Sequence, residues 1–356
     1  MILAALLLAV FGQQTLPPGA AGSSVGSGPV VAPPVPVVVP PARSTMAPPR
    51  ALDSLITSFE GAQVERIVRT SAAKDPLRAN YVRSGTQIDH GPDVRWHSNG
   101  VVAITRTWRE GRQDGLTEEW FESGFKKSSV TWVADLREGL FTMWYEDGAP
   151  RMTRVYAGGL QSGATLEWWA DGSLKSSTGW RNGRFHGESV QVRSGRVASQ
   201  GNYSDGQRDG AWEEFDAAGR VLVLGLYQKG KEHGPWIRHD ESGARVDEEY
   251  EGGQLQGVRR VTAVDGTVLG EGAYRAGKAH GAAREWFAAG AKKSEQTFVD
   301  GVQDGPVRYW FETGGLQIEG TMKAGKREGT WTYWKSDGSR DPEWSGTYRD
   351  DKRIAE

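Results

Sequence analysis

The sequence predicts an all-β fold, an elongated, twisted single-layer antiparallel meander of about eleven tandem β-hairpin repeats. Three observations predict it. A unit of 23 or 24 residues recurs between residues 90 and 351, each unit has a glycine near its middle, and aromatic residues flank that glycine in most units. Repetition at this period is typical of architectures in which each unit packs against its neighbours.

Each unit has the form x-Gly, four residues, an aromatic, three residues, Gly, seven residues, an aromatic, two residues, Gly. We number the copies one to eleven by the first glycine of this pattern. These anchoring glycines are Gly91, Gly115, Gly139, Gly163, Gly187, Gly210, Gly234, Gly257, Gly281, Gly305 and Gly329.

The two aromatic positions of the unit differ in how many copies have an aromatic residue there. In chain order the first-aromatic position holds Trp96, Trp120, Trp144, Trp168, Val192, Phe215, His239, Thr262, Trp286, Trp310 and Trp334. The second-aromatic position holds Trp108, Trp132, Tyr156, Trp180, Tyr203, Tyr227, Tyr250, Tyr274, Phe298, Met322 and Tyr348. The four middle copies have therefore lost the first tryptophan.

The central glycine predicts a hairpin turn, because Asn-Gly and Asp-Gly between aromatic or β-branched runs favour tight turns. A two-residue loop would put the two aromatics on opposite faces. A three-residue loop with glycine in the left-handed conformation would put them on one face, and we favour it because it collects both rings into one apolar surface. The structural turn glycines are Gly100, Gly124, Gly148, Gly172, Gly219, Gly266 and Gly338.

In several copies a second glycine stands two residues before the second aromatic. Residues two apart share a face of a strand, so these glycines would leave room for a neighbouring ring. They are Gly201, Gly225, Gly272, Gly320 and Gly346.

The run from Tyr227 through Gly230, His233 and Gly234 to Trp236 resembles the MORN repeat. The full unit is similar to the bacterial MORN-repeat variant, which includes antitoxin components of the YwqK type. The resemblance covers about three quarters of the chain, although the early Tyr-x-Gly is mostly missing. It implies an elongated scaffold or protein-binding module, and, through the antitoxin members, binding of a partner toxin.

The N-terminal part divides into three segments before the repeat domain of residues 90–353. Residues 1–12 resemble a signal peptide, because Ile2 to Phe11 is an apolar run too short to span a bilayer. Residues 13–50 are rich in Pro, Gly and Ser and predict a flexible linker. Residues 51–89 form a short segment in which Leu52, Leu55 and Ile56 suggest a helix that caps the first hairpin. We therefore expect a periplasmic or extracellular protein.

The composition excludes several classes of function. The chain has 43 basic and 45 acidic residues and no long basic run, which disfavours nucleic-acid binding and electrostatic attachment to anionic lipid. It has no cysteine, so it is not a lipoprotein and has neither disulfides nor thiolate metal sites.

We predict no catalytic, metal or cofactor site and no enzymatic activity. His186, His233 and His280 share one slot of the repeat, next to the anchoring glycine, that holds Asp, Glu, Ser or Gln in other copies. A polar residue that stabilises a turn explains the slot better than a metal ligand. The segment Gly320 to Arg327 nearly matches a phosphate-binding loop, but it lacks the Ser or Thr that such a loop places on magnesium.

The residue after the first aromatic is often aromatic as well, and it should face the other side of the sheet. These residues form our candidate binding stripe: Phe121, Tyr145, Trp169, Phe287 and Phe311. A contiguous exposed apolar patch usually marks a contact surface, although Lys and Arg stems can cover one. We predict a protein-binding or self-associating scaffold of the cell envelope. The alternatives are polysaccharide binding on exposed Trp and Tyr rings, and antitoxin-like binding of a toxin.

Overall fold

The computed structural model describes residues 34–46, 56, 58–70 and 76–356. The predicted signal peptide lies outside these residues. The strands are β1 (Ser58–Phe59), β2 (Ala62–Thr70), β3 (Pro76–Arg83), β4 (Asp89–Trp96), β5 (Val102–Arg109), β6 (Arg112–Gln113), β7 (Gly115–Trp120), β8 (Lys126–Val133), β9 (Leu136–Trp144), β10 (Pro150–Ala157), β11 (Leu160–Gln161), β12 (Gly163–Trp168), β13 (Leu174–Arg181), β14 (Arg184–Arg193), β15 (Arg196–Ser204), β16 (Gln207–Phe215), β17 (Val221–Gln228), β18 (Lys231–His239), β19 (Arg245–Glu251), β20 (Gln254–Thr262), β21 (Val268–Arg275), β22 (Lys278–Trp286), β23 (Lys292–Val299), β24 (Val302–Gln303), β25 (Gly305–Trp310), β26 (Leu316–Lys323), β27 (Lys326–Tyr333), β28 (Gly346–Arg349) and β29 (Lys352–Ala355).

The 29 strands form one open antiparallel sheet in which strands consecutive along the chain pair with each other. The short strands β6 and β11 are the first parts of interrupted longer strands. β5 pairs with both β6 and β7, and β10 pairs with both β11 and β12. The predicted fold class, an all-β meander of hairpins, is confirmed. The described residues contain no helix, and hence none that is long and apolar enough to cross a membrane.

In ten of the eleven copies the hairpin turn has three residues, as we favoured. Copy five instead has a two-residue turn, Ser194–Gly195, between the paired residues Arg193 and Arg196. In copy one the His97 N–H donates to the Val101 carbonyl at 2.8 Å, and the Gly100 N–H donates to the His97 carbonyl at 3.0 Å. The seven structural turn glycines have φ between 82° and 91°. Glycine has no Cβ to clash in this left-handed conformation, which is why the sequence keeps glycine at this point of the unit.

Consecutive copies are joined by a two-residue turn, Glu110–Gly111 in the first case, with φ of 49° and 78°. The slot before the anchoring glycine stabilises this turn. The Asp114 carboxylate accepts a hydrogen bond from the Ala134 N–H at 3.2 Å, and His280 Nδ1 accepts one from the Asp300 N–H at 3.3 Å. His280 therefore performs the same structural role as Asp114, and His90 and His186 accept the equivalent hydrogen bond in their copies.

The two aromatic positions lie on opposite faces of the sheet, so our expectation of a shared face is wrong. In copy one Trp96 pairs with Val102, but the preceding Arg95 pairs with Ile104. The extra residue, Ala103, is a β-bulge, and it moves every later residue of that strand to the other face. The same shift of register follows the turn in all of copies one to ten except copy seven.

Each face has its own packed clusters. On the first-aromatic face, Trp168 is 1% exposed and packs in a cluster with Val190, Val192 and Phe215. On the second-aromatic face, Trp236 is 2% exposed and lies between the rings of Tyr227 and Tyr250. Bulged hairpins thus let one layer of strands bury large side chains on both sides.

Where we expected a capping helix, the described residues form strands β1 to β3. Val64 and Ile67 lie in β2, which pairs with β3. Leu52 and Leu55 lie outside the described residues. This hairpin meets copy one at a buried carboxylate, because Asp93 is 0% exposed and accepts hydrogen bonds from Arg78 and Arg106 at 2.9 and 2.8 Å. Burial alone would raise the pKa of Asp93, but these bonds outweigh it and hold the pKa below its usual value.

Part of the predicted linker lies on the sheet. We call residues 34–46 the proline-rich segment. Val35 and Val38 pack against the Trp168 cluster, and the Trp144 indole N–H donates to the Ala42 carbonyl at 2.9 Å. The Ser44 N–H then donates to the Gly148 carbonyl at 2.9 Å. A composition that predicts a free spacer therefore includes a stretch in extended contact with the first-aromatic face.

Candidate binding surface along the turn edge

The five residues of the candidate binding stripe occupy one repeated place, immediately before the three-residue hairpin turn. The N–H of Trp169 donates to the Ser173 carbonyl, and its own carbonyl accepts from the Gly172 N–H, each at 2.9 Å. Phe121, Tyr145, Phe287 and Phe311 make the same two bonds in their copies. The stripe therefore runs along the line of hairpin turns, which we call the turn edge, and not across an open face of the sheet.

The stripe residues differ in exposure. Trp169 is 43% exposed, whereas Phe121, Tyr145, Phe287 and Phe311 are half-buried. The Tyr145 hydroxyl is used internally, since it donates to the Trp168 carbonyl of the next copy at 2.9 Å. His97 holds the same place in copy one, and its Nε2 lies 2.9 Å from the Trp120 carbonyl. Trp169 is therefore the most exposed of the five stripe residues.

Basic residues partly cover the rings, as the alternative interpretation of the sequence allows. The Lys175 ammonium lies 5.1 Å from the centre of the Trp169 ring, and the Arg151 guanidinium lies 5.7 Å from that of Tyr145. Both are the bulge residues of their copies. Lys175 is also held by Glu167 at 3.0 Å, so it lies over the ring as part of an ordered pair.

Carboxylates follow the rings at the turn edge. Glu122, Glu146 and Asp171 are all exposed and lie one or two residues after a stripe residue. The Ser173 hydroxyl and N–H donate to Asp171 at 2.6 and 2.8 Å, and these bonds lower its pKa. The edge in copies two to four therefore alternates rings with ionised carboxylates, a chemistry suited to a partner with apolar and basic side chains.

The described residues contain no group of three or more His, Asp or Glu side chains placed to hold a metal ion. His90, at 3% exposed, contacts the Phe59 carbonyl through Nε2 and accepts from the Glu110 N–H through Nδ1, both at 3.1 Å. The residues of the near-match to a phosphate-binding loop form the end of β26, a connecting turn and the start of β27. They do not form the strand-to-helix junction that cradles phosphate.

The second-aromatic face carries a ladder of ring contacts that our sequence analysis did not predict. Seven rings lie within 4.3 to 6.3 Å of the next, centre to centre: Trp180, Phe185, Tyr203, Trp212, Tyr227, Trp236 and Tyr250. Arg208 stacks on Trp212 at 3.9 Å, and Arg238 stacks on Trp236 at 4.6 Å.

One sequence signal could have revealed this ladder. A tryptophan stands two residues after the anchoring glycine at Trp212, Trp236 and Trp331, and each faces a glycine two residues before a second aromatic. A Cβ built on Gly225 would lie 2.1 Å from Trp236. The glycines predicted to leave room for a ring do so at Gly201, Gly225 and Gly320.

Comparison with known proteins does not assign this chain to a family. No family model matches the chain, and no curated protein matches it. Among solved structures, a crystal structure of TcdB2-TccC3 without its hypervariable C-terminal region is similar at 9% sequence identity and a TM-score of 0.16. The match covers 82% of this chain and 19% of that chain. A likeness of this size carries no argument about function.

Proposed function

We propose that the chain is a non-enzymatic repeat scaffold that binds a protein partner, or a second copy of itself, along the turn edge. The carrying observation is Trp169, a tryptophan 43% exposed on a turn fixed by two backbone hydrogen bonds. Exposed aromatic residues on rigid backbone are the usual anchors of protein interfaces. The resemblance to MORN repeats supports the same class of function.

The chemistry of the edge favours protein over polysaccharide. A sugar ring stacks on an open aromatic face, and Lys175 lies over a face of the Trp169 ring. A protein partner can instead bury the ring edge and pair a basic side chain with the neighbouring carboxylate of Asp171. The apolar run at Ile2 to Phe11 favours an encounter in the cell envelope or outside the cell.

The test compares Trp169→Ala with Trp344→Ala, which removes another exposed tryptophan, 54% exposed and outside the stripe. The immobilised chain would capture partners from the native envelope fraction. The strongest candidate would then be purified and its Kd measured against both variants. An anchor residue is worth about 2 kcal/mol or more, so Trp169→Ala should weaken binding at least about thirtyfold, while Trp344→Ala binds like wild type.

Self-association is tested in the same variants by sedimentation velocity of the purified chain. Equal binding by both variants, together with an unchanged oligomeric state, would contradict the proposal. Retention on peptidoglycan or polysaccharide beads that Trp169→Ala abolishes would instead support the sugar-binding alternative.

A further inference from the structure

The contact between the proline-rich segment and the sheet has the features of peptide recognition. It combines apolar side chains, an indole donor to a peptide carbonyl, and main-chain hydrogen bonds. The Trp144 indole N–H donates to the Ala42 carbonyl, and the Ser44 N–H donates to the Gly148 carbonyl. The Lys126 N–H donates to the Thr45 carbonyl at 3.2 Å. Met46 forms an isolated bridge with Phe125.

The sequence of the segment fits an extended ligand. Prolines at 34, 36, 40 and 41 fix their own φ and push the preceding residues toward extended conformations. A polyproline II chain has three residues per turn, so Val35 and Val38 share one side. Both pack against the Trp168 cluster, whereas Val37 and Val39 are 89% and 84% exposed. The segment thus has a bound side and a free side.

The surface beneath it is built from copies two to six. The segment contacts turn residues of copies two and three, and then the cluster of Trp168, Val192 and Phe215 from copies four to six. Aromatic-lined surfaces with an indole donor are a recurring way to bind proline-rich chains, since the extended ligand loses little entropy. Gly124 and Gly148 lie so close to Met46 and Ser44 that an added Cβ would come within 2.9 and 3.1 Å of them.

We propose that the first-aromatic face of copies two to six is a binding surface for extended proline-rich peptides, with residues 34–46 as its resident ligand. When that ligand is released, the face takes a proline-rich segment in trans, and the matching segment of a second copy of this chain fits it. This surface meets the turn edge at Gly124 and Gly148 but does not include Trp169, which carries the proposed function, so the two ideas fail independently. A tethered ligand competes at an effective concentration on the order of mM, so wild type should bind a free peptide poorly.

The experiment uses the full chain and a fluorescently labelled synthetic peptide of residues 34–46. Val35→Asp/Val38→Asp should release the resident segment, because it places two charges against the apolar cluster. Val37→Asp/Val39→Asp is the matched control, with the same charges on the exposed side. We expect the first variant to bind the peptide at least about tenfold more tightly than wild type or the control, by fluorescence anisotropy.

A second pair of variants tests the receptor. In the released background, Trp144→Phe removes the donor to Ala42 and should weaken peptide binding about fivefold, the equivalent of about 1 kcal/mol for one hydrogen bond. Trp286→Phe changes the same position of copy nine and should have no effect. Circular dichroism confirms that each variant is folded. The proposal is overturned if no folded variant binds the peptide, if the two double variants bind it equally, or if Trp144→Phe binds as tightly as its parent.

Discussion

The first-aromatic position has two environments, since its tryptophan is buried in copies two and four and half-buried in copies nine and ten. In copy four Trp168 is 1% exposed, within the cluster on which the valines of the proline-rich segment pack. In copies nine and ten Trp286 and Trp310 are half-buried, and the Lys292 ammonium lies 5.1 Å from the centre of the Trp310 ring. One repeat position is therefore core in some copies and partly covered surface in others.

The largest expected effect separates these two environments. Trp168→Ala should lower the free energy of unfolding by about 3–5 kcal/mol, as large-to-small changes of buried aromatics do. Trp310→Ala should lower it by only about 1–2 kcal/mol, because less apolar area is buried. Urea titration followed by circular dichroism measures both. Equal losses would show that the two environments do not differ as described.

An intermediate effect makes the same contrast on the second-aromatic face. Gly225→Ala forces a methyl group into the Trp236 ring, whereas the nearest atom to a Cβ at Gly272 lies 3.5 Å away, in Tyr274. Gly225→Ala should destabilise the fold by about 1–3 kcal/mol through overpacking. Gly272→Ala should leave the free energy of unfolding, measured by urea titration, within about 0.5 kcal/mol of wild type or raise it slightly. A harmless Gly225→Ala would contradict the ring packing.

A smaller effect isolates the proline-rich segment at the turns. Alanine at Gly148 or Gly172 suffers the same left-handed strain, about 1–2 kcal/mol, since their φ values are 82° and 84°. A Cβ at Gly148 also meets the Ser44 hydroxyl at 3.1 Å and Phe125 at 3.2 Å, while Gly172 faces open space. Gly148→Ala should therefore be the more destabilising, by about 1 kcal/mol, in thermal unfolding. If the two variants melt together, the segment does not press on this turn.

Much of this architecture is predictable from the sequence because turn chemistry is local. Gly100 and its equivalents mark a left-handed position by residue type alone, and the polar slot at Asp114 or His280 is recognisable because its members share only the ability to accept a hydrogen bond. The meander follows from these two turns. The position of the stripe at the turn edge follows too, once the turn length is known.

The β-bulge that follows the turn in most copies could not be predicted from the sequence pattern. The extra residue is Ala103 in copy one, Lys127 in copy two and Leu222 in copy six, which share no property that a pattern could detect. One hint existed: His239 and Tyr250 of copy seven are eleven residues apart, whereas most copies have twelve. With a three-residue loop, the copies with twelve residues need a bulge to share the arrangement of faces of copy seven. In copy five the two positions are also eleven residues apart, and it reaches the same arrangement with a two-residue loop and a bulge. The contact made by the proline-rich segment was hidden as well, because composition says how stiff a chain is and not what it touches. The resemblance to MORN repeats and the export of the chain stay predictions.

The most direct test of the contact between the proline-rich segment and the sheet is amide hydrogen exchange at Ser44 and Lys126, resolved by NMR. Their N–H groups donate to Gly148 and Thr45 across the contact between segment and sheet. We predict slow exchange at both amides in the wild-type chain and fast exchange at both in Val35→Asp/Val38→Asp, with the protection of Trp310 unchanged. Exchange of the Ser44 amide at the rate of an unstructured peptide in the wild-type chain would contradict the account.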